Sequence, residues 1–358
     1  MDVGQRENIA LAVLLSMTLL AGCTSGGTGN VSGSGKTDAP PTTKGTTVLS
    51  IYHAGSLAVP FEALEKTFEA LHPDIDIQRE AAGSVKSVRK MTELGKTPDV
   101  LATADYSLIP SMTIPDHASW YAAFATNELV IAYNEKSAYR DEITTDNWFE
   151  VLRRPDVKFG FSNPNDDPCG YRATMINLLA ETHYRDDKIF KDLIASNVAF
   201  TVENDTRVVV PKSEAFDPNT KKVLIRSMET ELLAALESGE IDYFFIYRSV
   251  AIQHHLDFIE LPREINLGAT EHGDFYMKYS LQQATGKVVQ AKPIVYGVTI
   301  PDKAVHPELA TQFLALLLGE EGQKIFADLG QPPIVPPMSS DPGKLPQELR
   351  PLVLAENK

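Results

Sequence analysis

Strand-like and helix-like hydrophobic patterns alternate in the first part of the chain. Apolar runs typical of strands lie at 48–52, 75–78 and 99–103, and apolar residues at helical spacing separate them. Short links between such elements imply right-handed crossovers and a parallel sheet. This stretch therefore predicts an α/β lobe.

A second series of strands and helices starts with a strand at 127–133. The same patterns predict hairpins within 198–221 and 256–290, a last strand at 292–300 and a single helix, Glu308–Phe326. The other elements of this series are strands at 157–161, 222–226 and 242–247, and helices that begin at Pro168, Met228 and Arg248 or Ser249. The chain therefore predicts a second α/β lobe.

Gly-Ser dipeptides stand at two equivalent strand-to-helix turns, Gly55-Ser56 and Gly83-Ser84. Ligands of parallel sheets bind outside the carboxyl ends of the strands, where both turns lie. A single Gly-Ser of this kind is typical of a helix cap, and Ser56 is expected to be an N-cap. The repetition favours an oxyanion pocket that uses both turns.

The loop 162–171 lies between a strand and a helix and is rich in turn formers. Asp167 suits an N-cap and Pro168 the first helical position. The backbone N–H group of Cys169 would then lie in the first turn, where an anion is stabilised. Taken alone, the loop is more typical of an acidic helix cap, and Asp166 could serve in place of Asp167.

Charge and cysteine content exclude several classes of function. The chain has 358 residues, with 33 Lys and Arg against 48 Asp and Glu, and a net charge of −15 disfavours nucleic acid or an anionic membrane surface as partner. Its two cysteines, Cys23 and Cys169, lie in unrelated contexts. We expect no disulfide, structural metal, Cys/His catalysis or cofactor.

The N-terminal apolar run, 9–21, is shorter than a membrane span and suits a secretory signal. It ends in Leu-Leu-Ala-Gly-Cys (19–23), which resembles a lipobox, so residues 1–22 are predicted to be a signal peptide and Cys23 to be lipidated. Residues 23–47 are rich in Gly, Ser, Thr and Pro and predict a disordered tether. This arrangement predicts a protein anchored to the outer face of the cell membrane, either a surface enzyme or a transporter's receptor.

Several strings in the chain are long and distinctive: His-Ala-Gly-Ser-Leu (53–57), Ala-Ala-Gly-Ser (81–84), Ala-Thr-Ala-Asp-Tyr (102–106), Ser-Asn-Pro-Asn-Asp-Asp-Pro-Cys-Gly-Tyr-Arg (162–172), Asp-Tyr-Phe-Phe-Ile-Tyr-Arg-Ser-Val-Ala (242–251) and Lys-Pro-Ile-Val-Tyr-Gly (292–297). They resemble the tungstate/molybdate-binding proteins of archaeal ABC transporters. The likeness extends, in order, from about Val48 to Pro337.

This resemblance implies an α/β type II periplasmic-binding-protein fold, in which two lobes joined by two crossing strands close on an oxyanion. Lobe one would comprise 48–128 and 296–337, lobe two 129–295, and a C-terminal tail 338–358. A monomer that delivers its anion to the permease of an ABC importer is implied as well.

The resemblance also implies roles for individual residues. The oxyanion-binding set it implies is Gly55, Ser56, Ser84, Asp167, Pro168, Cys169, Glu229 and Tyr247. In this family the metal of the oxyanion is six-coordinate, with four ligand oxygens and one oxygen each from an Asp and a Glu. Asp167 and Glu229 would therefore bind tungsten or molybdenum directly, although Glu231 lies close to Glu229 in sequence.

Two acids in an anion site have a physical rationale. Tungsten and molybdenum are high-valent centres that can add carboxylate ligands, whereas sulfur and phosphorus do not accept them readily. The acids would thus discriminate against sulfate and phosphate. Two alternatives stay open: a receptor for sulfate, phosphate or a metal cation, and a surface hydrolase with Ser56 or Ser84 as nucleophile and His53 or one of the acids as partner. The hydrolase is disfavoured because no Gly-x-Ser-x-Gly elbow occurs. We expect a binding protein without enzymatic activity, and the preference between tungstate and molybdate stays open.

Overall fold

The computed structural model describes residues 46–356, which belong to one compact unit, Lys44–Lys358. The predicted signal peptide, nearly all of the predicted tether and Cys23 lie outside the described residues. Within 46–356, every helix falls short of the length or apolarity that a transmembrane span requires.

Strands form three sheets. In chain order they are β1 (Thr47–His53), β2 (Ile75–Ala81), β3 (Val100–Thr103), β4 (Ala122–Asn127), β5 (Leu129–Tyr133), β6 (Phe159–Ser162), β7 (Thr201–Glu203), β8 (Arg207–Val209), β9 (Val223–Arg226), β10 (Tyr243–Tyr247), β11 (Asp257–Glu260), β12 (Ser280–Gln282), β13 (Val288–Gln290), β14 (Ile294–Thr299), β15 (Pro333–Ser339) and β16 (Leu354–Ala355).

Helices surround these sheets. They are α1 (Ala58–Leu71), α2 (Ser84–Thr92), α3 (Leu108–Met112), α4 (Trp148–Arg153), α5 (Pro168–Tyr184), α6 (Leu232–Ser238), α7 (Arg248–Gln253), α8 (Gly273–Tyr276), α9 (Pro307–Leu318) and α10 (Glu320–Asp328).

The first lobe is built on a seven-stranded sheet, ordered β16-β15-β4-β14-β3-β1-β2. Strand β1 runs parallel to β2 and β3, while β14 is antiparallel to β3 and β4. The predicted parallel unit is therefore confirmed. Helix α1 covers it with the buried positions Pro60, Phe61, Leu64 and Phe68, which follow the helical spacing seen in the sequence.

The second lobe is built on a five-stranded sheet, ordered β11-β5-β10-β6-β9, with a small four-stranded sheet, β13-β12-β8-β7. Strand β6 is parallel to β9 and β10, and all five residues of β10 are buried, as an apolar run covered on both faces requires. The predicted two-lobe α/β fold is confirmed.

The chain passes between the lobes twice. It leaves the seven-stranded sheet at Asn127, the last residue of β4, and enters the five-stranded sheet at Leu129 in β5. It returns to the seven-stranded sheet at Ile294 in β14. These two crossings bring the carboxyl ends of β1, β3, β6 and β10 to the junction between the lobes.

Some predicted elements differ in the structure. The single helix predicted at 308–326 is wrong, because Gly319 has an extended backbone (φ −79°, ψ 179°) and separates α9 from α10. Acidic residues in the first turn of α10 stabilise its separate start. The apolar spacing continues across the break because both helices cover the same core. A strand from 127 was also wrong at its start, since Asn127 ends the Ala-rich strand β4.

Candidate functional site

The predicted binding residues of the two lobes meet at the junction. A β-carbon placed on Gly55 would lie 3.2 Å from Glu229 Oε1, and one on Gly83 would lie 2.4 Å from the carbonyl oxygen of Asp166. Glycine at 55 and 83 thus permits a close approach of first-lobe turns to second-lobe backbone and side chains. The two Gly-Ser turns and the acidic loop therefore face each other across the junction.

Asp167 links two helix starts in the second lobe. It is the N-cap of α5, with an extended backbone and Pro168 after it, so the predicted cap is confirmed. Its Oδ1 accepts from the Cys169 N–H at 3.3 Å, and its Oδ2 accepts from the Glu229 N–H at 3.1 Å. The N–H group of Cys169, expected to be free for an anion, is therefore engaged by Asp167.

Glu229 lies in the short 3-10 turn Glu229–Glu231 that precedes α6. Its side chain is 0% exposed, and neither carboxyl oxygen has a hydrogen-bond partner within the described chain. Burial first, and then the charge of Asp167, raise the pKa of Glu229 well above its ordinary value. A buried carboxylate without a partner costs several kcal/mol. This arrangement is therefore suited to a ligand that takes up carboxylate oxygens.

Burial also raises the pKa of Asp167. The two carboxyl groups cannot both be ionised without cost unless a positive centre binds them. Across residues 46–356, no three His, Cys, Asp or Glu side chains come together as a metal-ion site. Asp167 and Glu229 thus offer only two carboxylates, which suits a metal centre whose other coordination positions are already filled by oxygen atoms.

Both serine hydroxyls already accept a hydrogen bond from the protein. Ser56 Oγ accepts from the Tyr296 hydroxyl at 3.0 Å, and Ser84 Oγ accepts from the Ala104 N–H at 2.9 Å. Each hydroxyl hydrogen therefore remains for another acceptor. The prediction of Ser56 as an N-cap is wrong, because Ser56 lies in the 3-10 turn Gly55–Leu57, and the α1 N-cap is Leu57.

Cys169 and Tyr247 are fully buried beside the carboxylates. Burial raises the pKa of the Cys169 thiol well above its ordinary value, and Sγ donates weakly to the carbonyl of Phe245 at 3.7 Å. The Tyr247 hydroxyl accepts from Arg172 Nη1 at 2.7 Å. Cys169 therefore lines the site as an uncharged thiol, whereas the Tyr247 hydroxyl keeps a hydrogen that it can donate.

Sequence reasoning missed a buried polar cluster that joins the lobes. Asp105 follows β3 in the first lobe, and it contacts Tyr171, Arg172 and Lys292 at distances of 2.6, 3.7 and 3.2 Å. Although burial opposes it, Lys292 and Arg172 hold the pKa of Asp105 well below its usual range. The signal available in the sequence was an arginine, Arg172, within the largely apolar stretch 168–180, all of which is buried in α5.

His53 does not pair with either serine. Its Nδ1 donates to the Ala54 carbonyl at 2.8 Å, and its ring lies 5.3 Å from that of Phe61. Burial lowers the pKa of His53 to about 4, so the ring is neutral at physiological pH. Ser56 and Ser84 bond to Tyr296 and Ala104 instead, so neither serine forms the serine–histidine pair that was considered for a hydrolase.

Known proteins with similar sequences are solute-binding proteins. The family described as bacterial extracellular solute-binding protein matches residues 49–330. An uncharacterised solute-binding protein of Methanococcus maripaludis is 50% identical over 309 residues, which cover 86% of this chain and 88% of that protein. The molybdate/tungstate-binding protein WtpA of Pyrococcus abyssi is 44% identical over 356 residues, covering 97% of this chain and 98% of that protein.

Solved structures support the same fold. The periplasmic molybdate-binding protein of Azotobacter vinelandii has a TM-score of 0.54 at 15% identity, covering 80% of this chain and 99% of that chain. The sulfate-binding protein SubI of Mycobacterium tuberculosis has a TM-score of 0.51 at 15% identity, covering 81% of this chain and 88% of that chain. At these identities the likeness is one of fold.

Proposed function

The chain belongs to the bacterial extracellular solute-binding protein family, and within it we propose that the protein captures tungstate or molybdate between its lobes for an ABC importer. Relatives named as molybdate/tungstate-binding proteins, 44% identical over nearly the whole chain, support this ligand. Membership of the family also supports an extracytoplasmic location and a binding role without catalytic residues.

The observation that carries the proposal is the unpartnered carboxylate of Glu229 beside Asp167. A sulfate or phosphate held at this point would face two buried acids and be repelled. A tungsten or molybdenum centre can instead take one oxygen from each acid and complete six-fold coordination. Asp167 and Glu229 would therefore bind the metal of the oxyanion, and the cost of burying them is offset when the ligand is present.

Other residues around the junction would hold the oxygens of the anion. Ser56 and Ser84 each keep a hydroxyl hydrogen, and so does Tyr247 beside Arg172. The backbone at Gly55 would supply a further donor, and the Pro168-Cys169 wall would shape the site. Donors that point at a fully deprotonated oxyanion suit its oxygen atoms well.

The N-terminal segment would keep this receptor at its transporter. We propose that the signal peptide ends at residue 22 and that a lipid on Cys23 anchors the mature protein to the outer face of the cell membrane. The tether, 23–47, would let a monomeric body reach the permease. No resident cofactor and no nucleic acid enter this proposal.

Calorimetric titration of the purified protein with tungstate, molybdate, sulfate and phosphate tests the proposal. We expect tight binding of tungstate and molybdate alone. Glu229→Gln is expected to weaken both by about a hundredfold or more, because it removes a direct ligand. Glu231→Gln is the matched control, since Glu231 is exposed and only accepts from the Ser227 N–H.

Three results would contradict the proposal. Tight binding of sulfate or phosphate without preference for tungstate would support the alternative receptor. If Glu229→Gln binds tungstate and molybdate with unchanged affinity, Glu229 only stabilises the start of a helix. A protein that binds none of the four anions would overturn the proposal as a whole.

A further inference from the structure

A buried chain of hydrogen bonds runs from Asn127, where the chain first crosses between the lobes, to the binding site. Asn127 Nδ2 donates to the Tyr296 hydroxyl at 3.1 Å, and that hydroxyl donates to Ser56 Oγ at 3.0 Å. Exposure is 4% for Asn127, 0% for Tyr296 and 1% for Ser56. Water therefore does not compete for these groups, and their hydrogen-bonding directions are set by the protein.

The direction of the chain follows from two backbone groups. Asn127 Oδ1 accepts from the N–H groups of Glu128 and Ser249, at 3.0 and 3.3 Å. These two donors identify the amide oxygen, so the amide nitrogen faces Tyr296. An amide nitrogen only donates, and the single phenolic hydrogen of Tyr296 must then go to Ser56.

Ser56 can therefore act only as a hydrogen-bond donor toward the binding site. Its oxygen accepts from Tyr296, so its own hydrogen turns to an acceptor elsewhere. The adjacent Gly55 lies against the Glu229 carboxylate, which places the second lobe's part of the site next to this hydroxyl.

We infer that Tyr296 is a positioning residue: it holds the Ser56 hydroxyl as a donor toward the oxyanion. This inference rests on the proposed function, because it assigns a ligand oxygen as the acceptor. Asn127 and Tyr296 stand on β4 and β14, at the two points where the chain crosses between the lobes. The donor is therefore oriented before the anion arrives, and binding does not have to reorganise it.

The test is Tyr296→Phe, which keeps the ring that packs 6.2 Å from Phe124 and 6.0 Å from Tyr247. We expect tungstate and molybdate to bind about tenfold more weakly, the loss of roughly one well-oriented hydrogen bond. The matched control is Tyr243→Phe. Tyr243 is as buried, and its hydroxyl donates to the Ala138 carbonyl within the second lobe, so its loss should leave affinity unchanged.

A double-mutant cycle separates positioning from a merely structural role. If Tyr296 acts through Ser56, Tyr296→Phe should cost no further affinity in a Ser56→Ala background. Additive losses in the two backgrounds would overturn the inference, and so would a Tyr296→Phe variant that binds like the wild type. The proposed function would survive either result, since wild-type binding is measured in the same experiment. A wild-type protein that binds no oxyanion would contradict both the proposed function and the inference about Tyr296.

A second variant tests the direction of the chain while leaving the tyrosine in place. Asn127→Asp keeps the shape but replaces the amide donor with an acceptor, so the Tyr296 hydrogen can turn away from Ser56. We expect weaker tungstate binding, with a smaller loss in the Ser56→Ala background. Equal losses in both backgrounds would show an effect of charge alone and would contradict the inference.

Discussion

The Tyr171 hydroxyl donates a hydrogen bond of 2.6 Å to Asp105 Oδ2 and thereby joins the second lobe to the first. Arg172, next to Tyr171 on α5, donates to the Ala104 carbonyl at 2.7 Å. Lys292 completes the charge around Asp105 from the segment that leads back into β14. The contacts of Tyr171 and Arg172 are buried and join residues of different lobes, so they stabilise the arrangement in which the lobes are together.

Tyr171→Phe is expected to speed release of the bound oxyanion. The variant loses a hydrogen bond to a charged group, worth about 1.5–3 kcal/mol, and the loss falls on the closed state. Dissociation should therefore be about tenfold faster or more, with little change in the association rate. Stopped-flow displacement of tungstate measures both rates, and an unchanged dissociation rate would show that this contact does not hold the lobes closed.

Gly83→Ala is expected to block closure without unfolding the protein. Its β-carbon would lie 2.4 Å from the Asp166 carbonyl oxygen, which belongs to the other lobe. The clash arises only where the two lobes meet, so tungstate affinity should fall at least about tenfold. Gly83 is also the N-cap of α2, so the unfolding free energy without ligand should fall by no more than about 1 kcal/mol. Thermal unfolding and calorimetry measure the two quantities.

The control for this steric effect is Gly273→Ala. The nearest atom to a β-carbon at Gly273 is 4.0 Å away, and its backbone is helical (φ −52°). Alanine fits there without strain, so affinity should stay at the wild-type level. Tight tungstate binding by Gly83→Ala would mean that the lobes close less fully than this structure shows.

Asp167→Asn and Asp166→Asn distinguish the two acids that the sequence leaves as alternatives. Asp167 faces Glu229, whereas the Asp166 side chain accepts from Asn163 Nδ2 at 2.9 Å. We expect Asp167→Asn to lose tungstate binding by about a hundredfold, because it removes one of the two proposed ligands of the metal, and Asp166→Asn to change it little. Calorimetry measures the tungstate affinity of both variants. A larger loss in Asp166→Asn than in Asp167→Asn would assign the metal ligand to Asp166.

His53 predicts a specific dependence of stability on pH. Its pKa is lowered from 6.5 to about 4 in the folded protein, so the unfolded chain binds more protons between these values. This contribution to the unfolding free energy is complete above pH 6.5 and falls by about 3 kcal/mol as the pH drops toward 4.

His53→Asn isolates this contribution. Its side-chain amide can still donate to the Ala54 carbonyl, as Nδ1 does, but it does not titrate. Urea unfolding from pH 4 to 7.5 should show a difference between wild type and variant that grows in favour of the wild type as the pH rises. A difference that is constant with pH would mean that His53 is protonated equally in both states.

Local chemistry explains which parts of the site could be predicted. Asp167 and Pro168 form a helix start that depends on neighbours within one turn, and the structure confirms it. Gly319 shows where such reasoning fails, because its apolar neighbours keep helical spacing while its backbone is extended. The break at Gly319 leaves the apolar pattern unchanged, because α9 and α10 pack on the same core.

At the binding site, Ser56 likewise shows what local sequence predicts and what only tertiary contacts decide. A Gly-Ser pair after a parallel strand predicts a polar turn at the carboxyl edge of a sheet, and this is what the structure contains. The hydroxyl does not cap α1, because Ser56 lies in the 3-10 turn before it; the oxygen accepts instead from Tyr296, 240 residues further along the chain. No local pattern carries that information.

The sequence by itself determined the alternating strands and helices, the two lobes, the acidic helix start and the family, because each depends on short spacings or on whole strings of residues. Tertiary structure alone decided which polar groups meet. Glu229 binds Asp167 across 62 residues of sequence, and Asp105 meets Tyr171 across 66. The first contact lies within the second lobe and the second joins the two lobes. Both form only in the folded chain, where burial removes water and leaves each polar group dependent on a partner that is distant in sequence.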